Sequence, residues 1–102
     1  MNETSRYDSN FSLHLELQAK HLMAILTLFI SGTNVSQSER RFDNDIQIQR
    51  LKEKLEVITG VSSQSMRLEL FNERDESLGE VLGDVQTLSY FLVKDYFRLH
   101  VS

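Results

Sequence analysis

The histidines are the side chains best suited to acid–base or metal chemistry, and their spacing supports neither. His14 and His21 are seven residues apart, which is not the spacing of paired metal ligands, and His100 lies alone in a strand-like stretch. The chain has no cysteine, which excludes a thiolate nucleophile and a thiolate metal site. We therefore predict no metal site and no histidine-centred catalytic site.

The remaining polar motifs also lack the pattern of an active site. No serine lies in a Gly-x-Ser-x-Gly elbow. The segment Gly79-Glu-Val-Leu-Gly83 lacks the Lys-Ser/Thr pair that a phosphate-binding loop requires. The adjacent carboxylates Asp75 and Glu76 lie in a polar turn, where solvated charges are common. The sequence thus predicts a protein that is not an enzyme and that holds no cofactor.

Composition limits the other classes of function. The chain has 102 residues, enough for one domain, and a formal net charge of −4 without a marked basic cluster, so we expect no nucleic acid partner. The longest apolar run, residues 22–30, is interrupted by Thr27 and is far shorter than the roughly 20 residues of a bilayer span. We expect no membrane partner and interpret this run as a buried strand.

The N-terminal region differs from the rest. Residues 1–10 are polar and show no apolar period, and residues 11–18 alternate between apolar and polar side chains. The alternation fits either an extra edge strand or an accessory leader. We predict a mobile N-terminal tail over residues 1–22 and one folded domain over residues 23–102.

The middle of the chain predicts a hairpin followed by a helix. Apolar residues 24–31, turn residues at Ser31 to Asn34, and a polar second strand over residues 38–42 indicate two antiparallel strands. The apolar period then changes to that of an amphipathic helix, with Ile48, Leu51, Leu55 and Ile58 on one face and Gly60 at its end. Its N-cap is either Asp45 or Gln47.

The C-terminal part predicts further strands. Residues 66–71 and 97–101 alternate, and residues 77–82 form a weaker edge strand. A connection over residues 84–93 carries the apolar anchors Leu88, Tyr90 and Val93. Because the apolar stripe of the helix must be covered, we predict a two-layer α+β domain with a mixed sheet of four to five strands and one helix packed across one face.

This order of elements, and several short sequence segments, resemble those of a known protein family. The order is that of the ubiquitin-like β-grasp fold, and Thr87-Leu88-Ser89 followed by Leu99-His100-Val101 is similar to the end of ubiquitin. Within that family, five sequence segments resemble the N-terminal ubiquitin-like domain of tubulin-folding cofactor B. The segments are Leu26-Thr27-Leu28-Phe29-Ile30-Ser31, Ser38-Glu39-Arg40-Arg41-Phe42, Leu51-Lys52-Glu53-Lys54-Leu55-Glu56, Ser65-Met66-Arg67-Leu68-Glu69-Leu70 and Phe97-Arg98-Leu99-His100-Val101.

The resemblance implies a non-catalytic protein-binding module that assists α-tubulin folding and the assembly and dissociation of tubulin heterodimers. It implies α-tubulin as partner, cofactor E as a second candidate partner, and a cytoplasmic, cytoskeleton-associated location. We expect the isolated domain to be monomeric. The alternatives are a ubiquitin-like interaction domain of an unrelated multidomain regulatory protein, and a protein modifier, although the chain lacks the Gly-Gly end that conjugation requires.

Strand alternation predicts which side chains face away from the helix. Two aromatic residues among charged ones on that face are typical of an anchored interface with a polar rim. The other interpretation is a solvated sheet face. The family usually has a glycine where Tyr96 follows Asp95 here, so we expect a turn of different shape at this point. The candidate protein-binding residues are Phe29, Arg67, Glu69, Phe71, Arg98 and His100, with Thr27 beside them.

Overall fold

The computed structural model describes residues 24–102. The predicted tail and the alternating segment lie outside the described residues, so the division at residue 22 stays a prediction. The described elements are β1 (Ile25–Gly32), β2 (Val35–Asp43), α1 (Ile48–Thr59), β3 (Leu68–Phe71), β4 (Ser77–Glu80), a 3₁₀ turn (Ser89–Phe91) and β5 (Arg98–Val101).

The strands form one mixed sheet of five strands in the order β2-β1-β5-β3-β4. The first and last strands, β1 and β5, are parallel neighbours at its centre, and all other pairs are antiparallel. A two-residue turn at Thr33 and Asn34 closes the β1–β2 hairpin. The α+β fold, its mixed sheet and its single long helix are confirmed within the described residues.

Helix α1 packs its apolar stripe against one face of this sheet. Ile48, Leu51 and Leu55 are completely buried, and Ile58 is partly buried at the end of the same stripe. The opposing strands contribute alternate side chains, since successive residues of a strand point to opposite faces. The buried apolar residues of the strands are Leu28, Ile30, Phe42, Leu68, Leu70, Leu99 and Val101.

Gln47 is the N-cap residue of α1, and its side chain makes no capping hydrogen bond to the helix. Backbone carbonyl groups of the loop after β4 satisfy the free N–H groups instead, because Ile48 N donates to Gln86 O at 2.8 Å and Gln49 N donates to Asp84 O at 2.9 Å. Lys52 Nζ also lies 3.0 Å from an Asp84 carboxylate oxygen. This loop therefore fixes the start of the helix.

Gly60 ends the helix in the left-handed region, with φ 77° and its N–H donating to Glu56 O at 2.8 Å. A Cβ atom at this position would meet no atom within 4 Å, so a substitution there acts through the backbone alone. Gly60→Ala should lower the free energy of unfolding by about 1 kcal/mol, measured by urea denaturation. Gly60→Asn should lower the free energy of unfolding by less, because asparagine tolerates the left-handed conformation better than alanine does. Equal losses for the two variants would contradict an effect that acts through the backbone conformation.

Two details differ from the sequence-based expectations. The strand boundaries differ from the predicted ones: β2 is longer than residues 38–42, and β3, β4 and β5 are shorter than predicted. Leu88 and Val93 are buried anchors as predicted, but Tyr90 is 63% exposed, so its prediction as an anchor is wrong. In a 3₁₀ turn, residues three apart share a side, and Phe91, three residues after Leu88, packs against the core instead.

Candidate protein-binding face

The sheet face opposite α1, called the outer face below, carries most of the predicted site residues. Arg98 in β5 lies beside Phe29 of β1 on one side and Phe71 of β3 on the other. The next outward residue of β5, His100, pairs with Glu69. The structure therefore brings five of the six predicted residues onto adjacent positions of three neighbouring strands.

Arg98 is the centre of this group. Its guanidinium carbon lies 4.0 Å from the centroid of the Phe71 ring, a cation–π contact. Nε and Nη2 donate to the same Asp75 oxygen at 3.1 and 2.8 Å, and Nη1 donates to Ser31 Oγ at 2.9 Å. These contacts leave the Arg98 side chain only 19% exposed. The guanidinium is thus held in one orientation across three strands.

The turn between β3 and β4 places Asp75 over the face. Asn72 Oδ1 accepts hydrogen bonds from the backbone N–H groups of Arg74 and Glu76, both at 2.9 Å. Asp75 itself has φ 63°, in the left-handed region that aspartate tolerates better than most residues. The asparagine-centred turn therefore presents the Asp75 carboxylate to Arg98.

Polar contacts continue along the same strands beyond Arg98. Ser31 Oγ lies 2.9 Å from His100 Nδ1, so one hydroxyl joins Arg98 to His100. Glu69 accepts a hydrogen bond from Ser77 Oγ at 2.6 Å on the next strand. Asp75, Arg98, Ser31 and His100 are thus joined by consecutive hydrogen bonds, and Glu69 is bonded separately to Ser77.

Arg67 is the predicted residue that the structure places apart. It precedes β3, and its guanidinium pairs with Glu80 at 3.1 Å near the far edge of the sheet. Its backbone exchanges hydrogen bonds with Ser102 beside the end of β5. Arg67 therefore lies at the margin of the outer face, away from Phe29.

Tyr96 extends the aromatic group at the other end. Its ring centroid lies 6.0 Å from that of Phe29, with the planes tilted by 39°. The backbone has φ 68°, and Tyr96 N donates to Thr27 O at 2.7 Å. Tyr96 therefore adopts the left-handed conformation that glycine favours, and a difference in turn shape from the family stays a prediction.

These residues surround a shallow depression of about 430 Å³ on the outer face. Its walls include Phe29 and Tyr96 on one side and the turn residues Asn72, Glu73 and Asp75 on the other, with Arg98 between them. Sequence reasoning missed Asp75, Ser31 and Tyr96, because their contribution depends on strand register and turn shape. Chemically, the depression offers aromatic surface and fixed polar groups, which suits binding of a protein side chain.

Across residues 24–102, no cluster of three or more histidine and carboxylate side chains is arranged to hold a metal ion. In the same range no helix has the length and apolar character needed to cross a membrane.

Comparison with known families agrees with this geometry. The family described as the ubiquitin-like domain matches residues 25–102, more than half of the chain. The chain belongs to the ubiquitin-like domain family. The resemblance found in the sequence is thereby confirmed at the level of the family, and the matched range coincides with the sheet and helix described above.

Relatives of this ubiquitin-like domain carry a consistent name. This chain is 32% identical over 62 residues to tubulin-specific chaperone B of Caenorhabditis elegans, and the match covers 61% of the chain and 27% of that protein. It is 33% identical over 76 residues to tubulin-folding cofactor B of Arabidopsis thaliana, covering 72% of the chain and 31% of that protein. The chain spans less than a third of the length of these curated relatives.

A solved structure supports the same assignment. The solution structure of a ubiquitin-like domain from tubulin-binding cofactor B aligns with a TM-score of 0.68 and 29% identity, covering 76% of this chain and 87% of that one. Five short sequence segments predicted a resemblance to the ubiquitin-like domain of tubulin-folding cofactor B. That resemblance is therefore confirmed.

Proposed function

We propose that this ubiquitin-like domain is a non-catalytic protein-binding module of a tubulin-folding cofactor. The similarity to proteins named tubulin-folding cofactor B is the observation that carries the proposal. In this proposal the domain binds α-tubulin, with cofactor E as a second partner, and assists folding and the assembly and dissociation of heterodimers. The protein acts in the cytoplasm in association with the cytoskeleton.

The outer face is the surface through which we propose that the domain binds its client. Phe29, Phe71 and Tyr96 supply aromatic area, and Arg98 is fixed by Asp75 and Ser31 before any partner arrives. Aromatic and arginine side chains at the centre of a polar rim are typical of residues that dominate binding energy. Because the arginine is already ordered, binding would cost little further side-chain entropy.

The proposed mechanism is stoichiometric binding without a covalent step. A domain that binds one conformation of its client more tightly than another shifts the client toward that conformation by the difference in binding free energy. The polar groups of the outer face support this view, because Arg98, Asp75, Ser31 and His100 are joined to one another rather than converging on an enclosed cleft.

A pull-down of purified α/β-tubulin with residues 1–102 tests this proposal. The double variant Phe29→Ala, Glu69→Arg should weaken tubulin binding about tenfold or more, because it removes an aromatic anchor and reverses a charge on the outer face. The control is Tyr90→Ala, Glu53→Arg, which removes a more exposed aromatic ring and reverses an exposed charge elsewhere. Circular dichroism would establish that both variants are folded.

Three results are distinguishable. If Phe29→Ala, Glu69→Arg weakens tubulin binding and the control variant does not, the outer face is supported as the binding surface. Equal binding by wild type and the first variant would exclude this face. A wild-type chain that captures no tubulin would contradict a client contact by this domain.

A further inference from the structure

The depression on the outer face combines aromatic rings with carboxylates. Phe29 and Tyr96 form one wall, with their ring centroids 6.0 Å apart. The exposed side chains of Glu73 and Asp75, from the turn between β3 and β4, contribute to the opposite wall. Among the lining residues, all of which lie within residues 24–102, Arg98 is the single cation. The charge available to a ligand therefore depends on what Arg98 already binds.

The charge of Arg98 is taken up by its neighbours. Nε and Nη2 both donate to Asp75 Oδ1, and the guanidinium covers the Phe71 ring. The second carboxylate oxygen of Asp75, Oδ2, accepts no hydrogen bond from within residues 24–102. Asp75 thus neutralises Arg98 through one oxygen and keeps the other available to a ligand.

Two further carboxylates near the rings have no cationic partner. Glu39 of β2 lies directly opposite Phe29 of β1, so both side chains are on the outer face. Glu39 and Glu73 are exposed, and neither takes part in any of the ion pairs formed inside the described range. Carboxylates around uncovered aromatic rings complement a positively charged group, because both attract a cation.

Tyr96 is held in a conformation that its side chain disfavours. Its φ of 68° lies in the left-handed region, which glycine occupies without the steric cost that a Cβ atom brings. The residue is nevertheless 55% exposed, so its ring contributes little to the core. Backbone outliers of this kind are concentrated at binding sites. The position of Tyr96 is therefore better explained by a ligand of its ring than by packing.

We propose that this depression binds an exposed arginine side chain of a partner protein. The guanidinium would lie against the rings of Phe29 and Tyr96 and donate to Asp75 Oδ2 and the Glu73 carboxylate, with Glu39 nearby. Arginine fits better than lysine, because its planar group stacks on aromatic rings and donates to two acceptors at once. This inference rests on the outer face being the binding surface proposed above, and it specifies the chemistry of the partner.

The test is a titration of isotope-labelled residues 1–102 with a capped peptide of glycine and serine that contains three arginines. Nuclear magnetic resonance should show shifts at Phe29, Glu73, Asp75 and Tyr96, with the amides of α1 unchanged. The control peptide has citrulline in place of each arginine, which keeps the planar shape and removes the charge. The citrulline peptide should not bind.

Two substitutions measure the contributions of the ring and the carboxylate. Tyr96→Gly, Glu73→Gln should weaken binding of the arginine peptide about tenfold, since an exposed cation–π contact and an exposed ion pair each contribute modestly. The variant should stay folded, because glycine favours the backbone conformation of residue 96 and Glu73 has an exposed side chain. Glu73→Gln alone should weaken binding about threefold.

Two control variants accompany this measurement. Tyr96→Phe keeps the ring and should retain the affinity for the arginine peptide. Tyr90→Ala, Glu53→Gln removes an exposed ring and an exposed carboxylate outside the depression, with the same change in net charge as the test variant. This variant should also bind the peptide as the wild type does, which separates the depression from general attraction to an acidic protein.

Four outcomes would overturn the proposal: no binding of the arginine peptide, equal binding of the citrulline peptide, unchanged affinity in Tyr96→Gly, Glu73→Gln, or the same shifts on concentrating the chain without peptide. The last would assign the depression to a second copy of the chain. The titration contains no tubulin, so its failure contradicts the arginine site and leaves the tubulin pull-down unaffected. Conversely, peptide binding without capture of tubulin would contradict the proposed client alone.

Discussion

Leu55→Ala is expected to lower the free energy of unfolding by about 2–5 kcal/mol. Leu55 is completely buried at the centre of the contact between α1 and the sheet, and truncation would leave a cavity that the surrounding strands cannot fill. A domain of this size has a total stability of roughly 5–15 kcal/mol, so the loss removes a large fraction of it. Urea denaturation, monitored by circular dichroism, measures the change in the free energy of unfolding.

Val57→Ala on the same helix is the matched control for this prediction. Val57 is 87% exposed, two residues from Leu55, so the substitution should change the free energy of unfolding by no more than about 0.5 kcal/mol. If the two variants were equally stable, α1 would not be packed on the sheet as described, and the fold itself would be wrong.

Arg98→Ala is expected to lower the free energy of unfolding by about 1–3 kcal/mol, an unusually large loss for a residue on an outward-facing sheet surface. The variant removes the contact with the Phe71 ring and the hydrogen bond to Ser31, both in a largely covered position. Chemical denaturation of the variant measures the loss, and Arg98→Lys should recover only part of it because lysine cannot reproduce the planar contacts.

Two further variants separate the contributions of the Arg98 contacts. Asp75→Asn should have a small effect, because the Asp75 side chain is 72% exposed and its ion pair with Arg98 is screened by solvent. Arg74→Ala removes a comparable surface ion pair with Glu76 at 3.3 Å and should be nearly neutral. A loss at Asp75 as large as that at Arg98 would show that the ion pair, and not the ring contact, dominates.

The sequence was informative wherever local periodicity determines structure. The spacing of Ile48, Leu51 and Leu55 predicted the buried stripe of α1, and all three are completely buried. Gly60 marked the end of the helix, because its left-handed conformation is strongly favoured by glycine. These features depend on interactions within a few residues along the chain.

The candidate site was only partly predictable, because its contacts depend on strand register. Alternation identified Phe29, Phe71 and Arg98 as outward residues, but it contains no information on which strands are neighbours. Asp75 lies in a turn, and its position over Arg98 follows from the asparagine-centred turn and the pairing of β3 with β5. Whether these residues bind a partner stays a prediction.

The parallel pairing of β1 with β5 also determines when the domain can fold during synthesis. These central strands are separated by nearly the whole described chain, so the domain has a high contact order and must close a long loop before its core is complete. A nascent chain that has emerged only as far as the 3₁₀ turn lacks the strand that pairs with both β1 and β3, together with the core residues Leu99 and Val101. We therefore expect such a partial chain to aggregate more readily than the domain that includes β5.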